Sequence, residues 1–424
     1  MKTTMLISIA AASLAASADI TVSDVAIASR QPWTNRVKVT FTVSGVTSAV
    51  NAKFAFSAYD GAARLCDIDA SKVSGDSYAD VNGPCSVEID LDGMHPLAVA
   101  RGGLRDLRIG VEAAPTSPVL YKIVNLETSP GDSGHIVYLT KADIESGSVA
   151  GIPGMLGGCE TNPVPGVESF VWTGVTNYVE TNRRYVNGRL VLRRIPRGTF
   201  AMGASGVETT ISKGFWMGVF PLTYGQYAKL AGVSSIAIEP FTKNGDPDSP
   251  TICTYNLMRG STAVWPQNGY DLEPTSVCAL LNARAGEDGF DLPTEAQWEY
   301  ACRAGTTGAL YRSDAALDEI CWHDGNSRSV AHAPGGRLPN AWGLYDMIGN
   351  VWERVLDWNA ATLAGGVDPW GPSSGAFGRR VMRGGCYLSG AGNCTTISRT
   401  ADESSVPGGG GAIYGVRIVQ NGRW

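Results

Sequence analysis

Basic residues are scarce in this sequence, which argues against one class of partner. The 34 Lys and Arg residues are outnumbered by 40 Asp and Glu residues, and the formal net charge is −6 at pH 7. No stripe of Lys and Arg is present that could neutralise a phosphate backbone. We therefore expect no nucleic acid among the partners.

Long apolar runs and zinc-binding patterns are also missing. After residue 18 no stretch reaches the roughly 18 apolar residues that a membrane span needs, so we expect no transmembrane span. Only four histidines are present, and no two cysteines form a C-x-x-C pair, so a structural zinc site is not expected. The nine cysteines are Cys66, Cys85, Cys159, Cys253, Cys278, Cys302, Cys321, Cys386 and Cys394.

The amino terminus has the three parts of an export signal. Lys2 precedes an apolar stretch, and Ala16-Ser17-Ala18 has the small residues of a cleavage site. Residues 1–18 are therefore predicted to be a signal peptide, and the mature chain to be periplasmic, at the cell surface or secreted. In such compartments cysteines pair, and Cys66 with Cys85 is the most plausible bridge. Buried free thiols are the alternative for most of the others.

Residues 19–128 alternate between apolar and polar side chains, which is the pattern of strands with one buried face. Turn residues separate the runs, as at Asn82-Gly83-Pro84. Several such strands in succession predict an all-β, immunoglobulin-like antiparallel sandwich. Its buried face is predicted to carry Val37, Val39, Phe41, Val43, Ala52, Phe54, Phe56, Val87, Ile89, Leu91, Leu107, Ile109 and Val111.

Residues 129–187 are interpreted as a linker and lead-in, because Gly and Pro recur there. From Tyr185 onward Trp, Gly and polar turn residues continue to the end of the chain, and only two helices are predicted. One of them spans Thr294 to Arg303. Thr294 and Gln297 have the spacing of a T-x-x-Q capping box at its start.

A series of motifs follows between about residue 188 and residue 420. The segments are 195–203 (IPRGTFAMG), 221–227 (PLTYGQY), 291–301 (DLPTEAQWEYA), 339–353 (PNAWGLYDMIGNVWE), 383–385 (RGG) and 415–417 (GVR). Together they closely resemble the motifs of the formylglycine-generating enzyme, or sulfatase-modifying factor, family. The resemblance implies that residues 188–424 form an α+β domain, an irregular variant of the C-type lectin fold.

Calcium is the first cofactor that the resemblance implies. The matching segment of the family wraps a calcium ion, which would give the side chains of Asp346 and Glu353 and the carbonyls of Gly349 and Val351 as ligands here. Carboxylates and backbone carbonyls are hard oxygen ligands that suit calcium. The alternative is that Asp346 and Glu353 are turn and surface charges around a buried Trp352.

The second chemistry that the resemblance implies is oxidation of a substrate cysteine to formylglycine. In the family, two cysteines five positions apart hold copper(I). Aligned on the RGG motif, the second position is Cys394 but the first is Ser389, and a hydroxyl is a poor ligand for this soft ion. A catalytic pair of Cys386 and Cys394 would keep a copper-dependent oxidase acting on sulfatase cysteine motifs as the alternative function. A disulfide between them, or two unrelated thiols, are competing interpretations.

Residues 386–414 are interpreted as a variable loop between two framework motifs. Their placement resembles the variable region of retroelement-diversified proteins that use this scaffold to display ligand-binding residues. Small, adaptable side chains such as these are used in binding loops. The alternative is an ordinary Gly/Ser-rich loop of a decayed enzyme. The candidate ligand-binding residues are Tyr387, Ser389, Asn393, Thr395, Ile397 and Tyr414.

These observations favour an exported, non-catalytic protein that binds an unknown protein or glycan through this loop. A third hypothesis is a structural envelope module. One scaffold hosts unrelated functions, so the fold alone does not decide among them.

Overall fold

A computed structural model gives the structure of this chain. It describes residues 20–31, 36–46, 51–69, 72–75, 78–79, 82–91, 107–116, 118–130, 132, 134–147, 158–161, 164–165, 170–176, 184–232, 246–267, 269, 271–375, 378–403 and 413–421. The predicted signal peptide at 1–18 lies outside these residues. The chain divides into two compact units, the first ending at Val119 and the second beginning at Leu120.

The described part of the first unit is an antiparallel sandwich. One sheet has the order β1-β2-β7-β5, and in the other β3 pairs with β4, β6 and β8. The strands are β1 (Thr21–Gln31), β2 (Arg36–Ser44), β3 (Asn51–Asp60), β4 (Ala63–Ile68), β5 (Val73–Gly75), β6 (Tyr78–Ala79), β7 (Gly83–Asp90) and β8 (Leu107–Thr116).

Alternation along these strands produces the core of the sandwich. Along β2, Val37, Val39, Phe41 and Val43 are buried while the side chains between them are more exposed. Phe41 packs edge-on against Phe54 of β3 with ring centroids 4.8 Å apart. The predicted buried face is confirmed, with Leu107 at its half-buried margin.

The second unit is an α+β domain with short elements. Its strands are β9 (Val119–Asn125), β10 (Ile136–Thr140), β11 (Cys159–Thr161), β12 (Phe170–Trp172), β13 (Arg189–Ile195), β14 (Gly198–Met202), β15 (Val207–Ile211), β16 (Phe215–Gly218), β17 (Phe290–Asp291), β18 (Trp352–Trp358), β19 (Gly366–Val367), β20 (Arg379–Arg383), β21 (Arg399–Glu403), β22 (Tyr414–Val416) and β23 (Val419–Gln420). The helices are α1 (Lys141–Ser146), α2 (Arg184–Asn187), α3 (Tyr224–Ala231), α4 (Tyr255–Arg259), α5 (Val277–Ala285), α6 (Glu295–Arg303) and α7 (Leu317–Ile320).

Two sheets organise this unit. A six-stranded sheet has the order β10-β9-β13-β16-β23-β17, and a four-stranded sheet has the order β21-β20-β18-β22. Smaller sheets join β11 with β12 and β14 with β15 and β19. The irregular α+β fold that the family resemblance implies is therefore present. Six of the helices lie after residue 183, more than the two predicted, because most are too short to give a clear periodic pattern.

The capping box predicted at the start of α6 is confirmed. The Gln297 amide N–H donates to Thr294 Oγ1 over 3.1 Å, and the Thr294 N–H donates to Gln297 Oε1 over 3.0 Å. The Gln297 side chain also donates to Asn421 Oδ1 over 2.7 Å. The cap thus joins the helix start to the end of the chain.

The boundary between the units differs from the predicted one at residue 128. Strand β9 pairs with β13, so the chain enters the six-stranded sheet directly after Val119. The predicted linker at 129–187 also contributes to the second unit, since β10 joins the same sheet and Trp172 is fully buried. Its Gly and Pro residues separate short elements, which is why the composition alone suggests a linker.

All nine cysteines are free thiols in this structure. Cys66 lies on β4 and Cys85 on β7, in different sheets of the sandwich, and the predicted bridge between them is not formed here. In the described part of the chain, no helix has both the length and the apolar character needed to cross a membrane.

Candidate functional site

The segment 346–353 enters β18 through a tight turn. Asp346, Gly349 and Asn350 all have positive φ angles, of 53°, 75° and 60°. At Gly349 an added Cβ would lie 2.3 Å from the Trp322 carbonyl oxygen and 2.4 Å from Cys321 Sγ. Glycine is therefore favoured there by the backbone conformation and required by the space available.

Asp346 is buried beneath this turn and binds backbone. Its Oδ2 accepts the Gly335 N–H over 2.7 Å, and Asn350 Nδ2 lies 3.5 Å from its Oδ1. Burial raises the pKa of Asp346 to about 6, because the charged carboxylate is poorly solvated. The contact with Gly335 holds a neighbouring loop against the turn, and the contact with Asn350 lies within the turn.

Glu353 lies at the start of β18 in a fully buried ion pair with Arg417. Arg417 Nη2 donates to Glu353 Oε1 over 2.7 Å, and Arg417 Nε contacts both carboxylate oxygens at 3.1 and 3.0 Å. The Trp298 indole donates to Glu353 Oε2 over 2.7 Å. The same guanidinium donates to the carbonyls of Gly218, Val219 and Tyr345.

This ion pair bears on the predicted calcium ligands. Three N–H groups of Arg417 and Trp298 contact the two oxygens of Glu353, so this carboxylate is already engaged by donors. Calcium binding by Asp346, Gly349, Val351 and Glu353 stays a prediction. Among the described residues, no group of three or more His, Cys, Asp or Glu side chains is placed to hold a metal.

The two candidate catalytic cysteines are buried, but their thiols have different partners. The Cys386 Sγ lies 3.4 Å from Ser389 Oγ, which also accepts the Cys386 N–H over 2.9 Å. The Cys394 thiol has the thiol of Cys321 as the main influence on its pKa, and the reverse also holds. The atom of Cys386 that the Cys394 thiol contacts is the backbone carbonyl oxygen, at 4.0 Å.

These partners also set the acidity of the thiols. The hydrogen bond from Cys321 lowers the pKa of Cys394, and the nearby His323 adds to this effect. Burial raises the pKa of Cys386. Sequence reasoning missed Cys321, since its distance from Cys394 along the chain follows no metal or disulfide spacing.

His323 is a second residue that the sequence did not single out as part of this region. Its Nε2 lies 2.6 Å from Asp318 Oδ1, and its Nδ1 lies 3.3 Å from Asp324 Oδ1. Burial disfavours the charged imidazole, but the two carboxylates outweigh it and raise the pKa of His323. The Asp324 N–H donates to the Ser389 carbonyl over 3.1 Å, which places this cluster directly behind the carboxy-terminal loop.

The candidate ligand-binding residues differ in exposure. Asn393 is exposed, Ser389, Thr395, Ile397 and Tyr414 are half-buried, and Tyr387 is buried. Leu388, which the sequence did not suggest, is 46% exposed. The exposed part of the loop is thus the segment 388–393, and residues 404–412 of the predicted loop lie outside the described residues.

The base of this segment is fixed by hydrogen bonds. Ser327 Oγ donates to the Tyr387 carbonyl over 2.7 Å, and the Tyr387 N–H donates to the Asn350 carbonyl over 2.8 Å. Within the segment, the Ser389 N–H donates to the Cys386 carbonyl over 2.9 Å. A short exposed loop therefore lies on a buried base that is held by hydrogen bonds.

Known proteins match the second unit of the chain. The model of the sulfatase-modifying factor enzyme 1-like domain matches residues 179–422, more than half of the chain. The formylglycine-generating enzyme of Mycobacterium tuberculosis is 45% identical over 212 residues, covering 38% of this chain and 71% of that protein. That of Streptomyces coelicolor is 37% identical over 150 residues, covering 31% of this chain and 46% of that protein.

A relative with a different name matches a longer part of this chain. Serine/threonine-protein kinase pkn1 of Chlamydia pneumoniae is 31% identical over 266 residues, covering 58% of this chain and 41% of that protein. The chain thus spans less than half the length of this relative and of the Streptomyces one. Among solved structures, Treponema denticola variable protein 1 is 21% identical with a TM-score of 0.45, covering 55% of this chain and 95% of that one.

Proposed function

Since the chain belongs to the sulfatase-modifying factor enzyme 1-like domain family, we propose that it is an exported binding protein that uses this domain without catalysis. The segment 388–393 is its ligand-binding surface. A protein or a glycan is the ligand class that such a loop would serve.

The main support for the proposal is that the thiols of Cys386 and Cys394 interact with other residues and not with each other. The position of the family's first copper-binding cysteine is Ser389, whose hydroxyl contacts Cys386. Cys394, at the second position, has its pKa lowered chiefly by a hydrogen bond from the thiol of Cys321. A neutral hydroxyl is a poor ligand for copper(I), so Ser389 and Cys394 do not fit the ion as a pair.

Exposure and rigidity support the segment 388–393 as a binding surface. Leu388 offers apolar area, and Asn393 offers a side-chain amide that both donates and accepts hydrogen bonds. Small residues lie between them, so a ligand can approach the backbone closely. Because the base is already ordered by buried residues, binding would cost little additional conformational entropy.

Binding to a glycan array and to a protein array tests the proposal. The probe is the chain from Asp19 to Trp424, labelled and applied with and without calcium. For any ligand found, Leu388→Asp should weaken binding at least tenfold. Leu257→Asp is the matched control, because Leu257 lies on α4 with a similar exposure of 37%. It should bind like the unchanged protein.

Two results would contradict the proposal. One is the absence of binding on both arrays, which would favour a structural envelope module. The other is a ligand whose affinity is the same for the unchanged protein, Leu388→Asp and Asn393→Arg. Retroelement diversification is a finer form of the proposal, and sequencing related copies of the gene for differences confined to adenine-containing codons of the loop would test it.

A further inference from the structure

Two buried thiols belong to the same apolar cluster in the core of the second unit. Cys321 and Cys394 are both fully buried. Each thiol is the main influence on the pKa of the other, which agrees with their being close together. Cys321 directly follows α7, and Cys394 directly follows the exposed segment 388–393.

Two glycines confine this pair of sulfurs. A Cβ added at Gly349 would lie 2.4 Å from Cys321 Sγ, and one added at Gly385 would lie 3.0 Å from Cys394 Sγ. The two glycine turns are joined by the Gly349 N–H, which donates to the Gly384 carbonyl over 2.9 Å. Each sulfur therefore packs on a glycine backbone that has no side chain, and the hydrogen bond between the two turns brings these two backbones together.

We propose that Cys321 and Cys394 form a disulfide bond that ties the base of the segment 388–393 to the segment 321–327. The proposal rests on the placement of the two buried sulfurs against the joined turns of Gly349 and Gly384-Gly385, and it does not depend on ligand binding. It differs from a Cys386–Cys394 bridge, because the Cys386 thiol contacts Ser389 and only its carbonyl faces Cys394.

Formation of this bond is a two-electron oxidation by thiol–disulfide exchange. The two thiols lose two electrons and two protons as the sulfur–sulfur bond forms. A small disulfide such as oxidised glutathione takes the electrons, its own sulfur–sulfur bond breaks, and two thiols leave. A bridge between residues so far apart in sequence closes a long loop, which restricts the unfolded chain strongly in the chain-entropy description.

The bond would reinforce contacts that already connect these segments. The Asp324 N–H donates to the Ser389 carbonyl over 3.1 Å, and Ser327 Oγ donates to the Tyr387 carbonyl over 2.7 Å. With a covalent link at Cys394, both ends of the exposed segment would be fixed to the same neighbour. The exposed residues of the segment 388–393 could then be substituted while the hydrogen-bonded base beneath them stays folded.

Refolding of the reduced chain in a glutathione redox buffer tests the proposal. Remaining thiols are alkylated, the protein is digested, and linked peptides are identified by mass spectrometry. We expect a peptide pair that carries Cys321 and Cys394, lighter by two hydrogen atoms than the sum of the separate peptides. A pair that carries Cys386 and Cys394, or both residues alkylated in the refolded protein, would overturn the proposal.

Thermal unfolding gives a second, independent measurement. Reductant should lower the Tm of the unchanged protein by several degrees and leave the Tm of Cys321→Ser unchanged. Cys302→Ser is the matched control, because Cys302 is fully buried in the same cluster and its thiol contacts the Met347 carbonyl at 4.0 Å. It should keep the response to reductant, and so should Cys386→Ser. If Cys321→Ser fails to fold, Cys321→Ala replaces it, and a reductant response equal to that of the unchanged protein would contradict the bond.

Discussion

The sandwich and the family domain fill their interiors with different kinds of side chains. In the sandwich, the described core is apolar, with residues such as Val39 and Ile89 fully buried between two regular sheets. In the family domain, large apolar residues share the interior with fully buried guanidinium groups. These belong to Arg259, Arg354, Arg380, Arg383 and Arg417.

The difference follows from how each unit satisfies the hydrogen-bonding groups of its backbone. Regular strands pair their own N–H and C=O groups, so an apolar face is enough to bury them. Loops leave carbonyls without strand partners, and burying these is costly unless a donor reaches them. Arg417 donates to the carbonyls of Gly218, Val219 and Tyr345, and Arg383 donates to those of Thr396, Ile397 and Ser398. Buried arginines thus add side-chain donors to the backbone hydrogen bonds where the chain is irregular.

The largest effect should come from removing one of these arginines. Arg417→Met leaves the Glu353 carboxylate buried without its Arg417 counter-ion and removes one donor from each of three backbone carbonyls. We expect a loss of about 3–5 kcal/mol in the free energy of unfolding, as for other broken buried ion pairs. Urea denaturation followed by tryptophan fluorescence checks this, because all the tryptophans except Trp33 lie beyond Val119.

Two variants sharpen that experiment. Ile89→Val in the sandwich is the comparison, with an expected cost of about 0.5–1.5 kcal/mol. The double change Arg417→Met with Glu353→Leu should recover part of the loss, since it removes the uncompensated charge. A single variant within about 1 kcal/mol of the unchanged protein would contradict the role given to Arg417.

The second largest effect is expected in how the free energy of unfolding depends on pH. Burial raises the pKa of Asp357 to about 7, and the neighbouring Glu295 adds to the shift. The folded state then keeps a proton that the unfolded state releases near pH 4, so the free energy of unfolding falls as pH rises between about 4 and 7. Asp357→Asn should flatten this slope while its amide oxygen still accepts the Glu295 N–H. Urea titrations at several pH values measure it.

The exposed Asp67 of the sandwich provides the control for this pH effect. Asp67→Asn should keep the slope of the unchanged protein. An equal slope in Asp357→Asn and in the unchanged protein would contradict a raised pKa for the Asp357 carboxyl.

A smaller effect is expected at the start of α6. Thr294→Ala removes the acceptor for the Gln297 N–H and should cost about 1 kcal/mol. Thr294→Ser keeps a hydroxyl acceptor and should stay close to the unchanged protein. Denaturant midpoints of the two variants give the comparison, and equal midpoints would show that this cap contributes nothing.

The smallest effect on stability is expected in the exposed segment. Asn393→Arg should change the free energy of unfolding by no more than about 0.5 kcal/mol, because the side chain is exposed. The same variant is expected to lose ligand binding. A loss of stability similar to that of Thr294→Ala would mean that Asn393 belongs to the framework.

Much of the sandwich could be predicted from the sequence, because alternation records directly which side chains are buried. Val37, Val39 and Ile89 illustrate this. In the family domain, the capping box at Thr294 was also predictable, since it depends on residues three positions apart. The boundary near residue 128 was not, because β9 follows directly on the strands of the sandwich and its partner β13 lies far along the chain.

The candidate site was predictable only in part. Motifs indicated Asp346, Glu353 and Cys394, but their partners come from distant loops with no period. The pairing of Glu353 with Arg417 and of Cys394 with Cys321 depends on the folded arrangement of those loops. No spacing rule connects such residues, so the chemistry of the site had to be taken from the structure.

Under the proposed function, the thiols of this domain serve the framework and not catalysis. Anaerobic copper(I) titration of the chain from Asp19 to Trp424, followed by incubation with a cysteine-containing sulfatase-motif peptide under oxygen, tests this proposal. We expect no tight copper binding and an unchanged peptide mass. Binding of one copper(I) ion per chain together with an aldehyde product would contradict it.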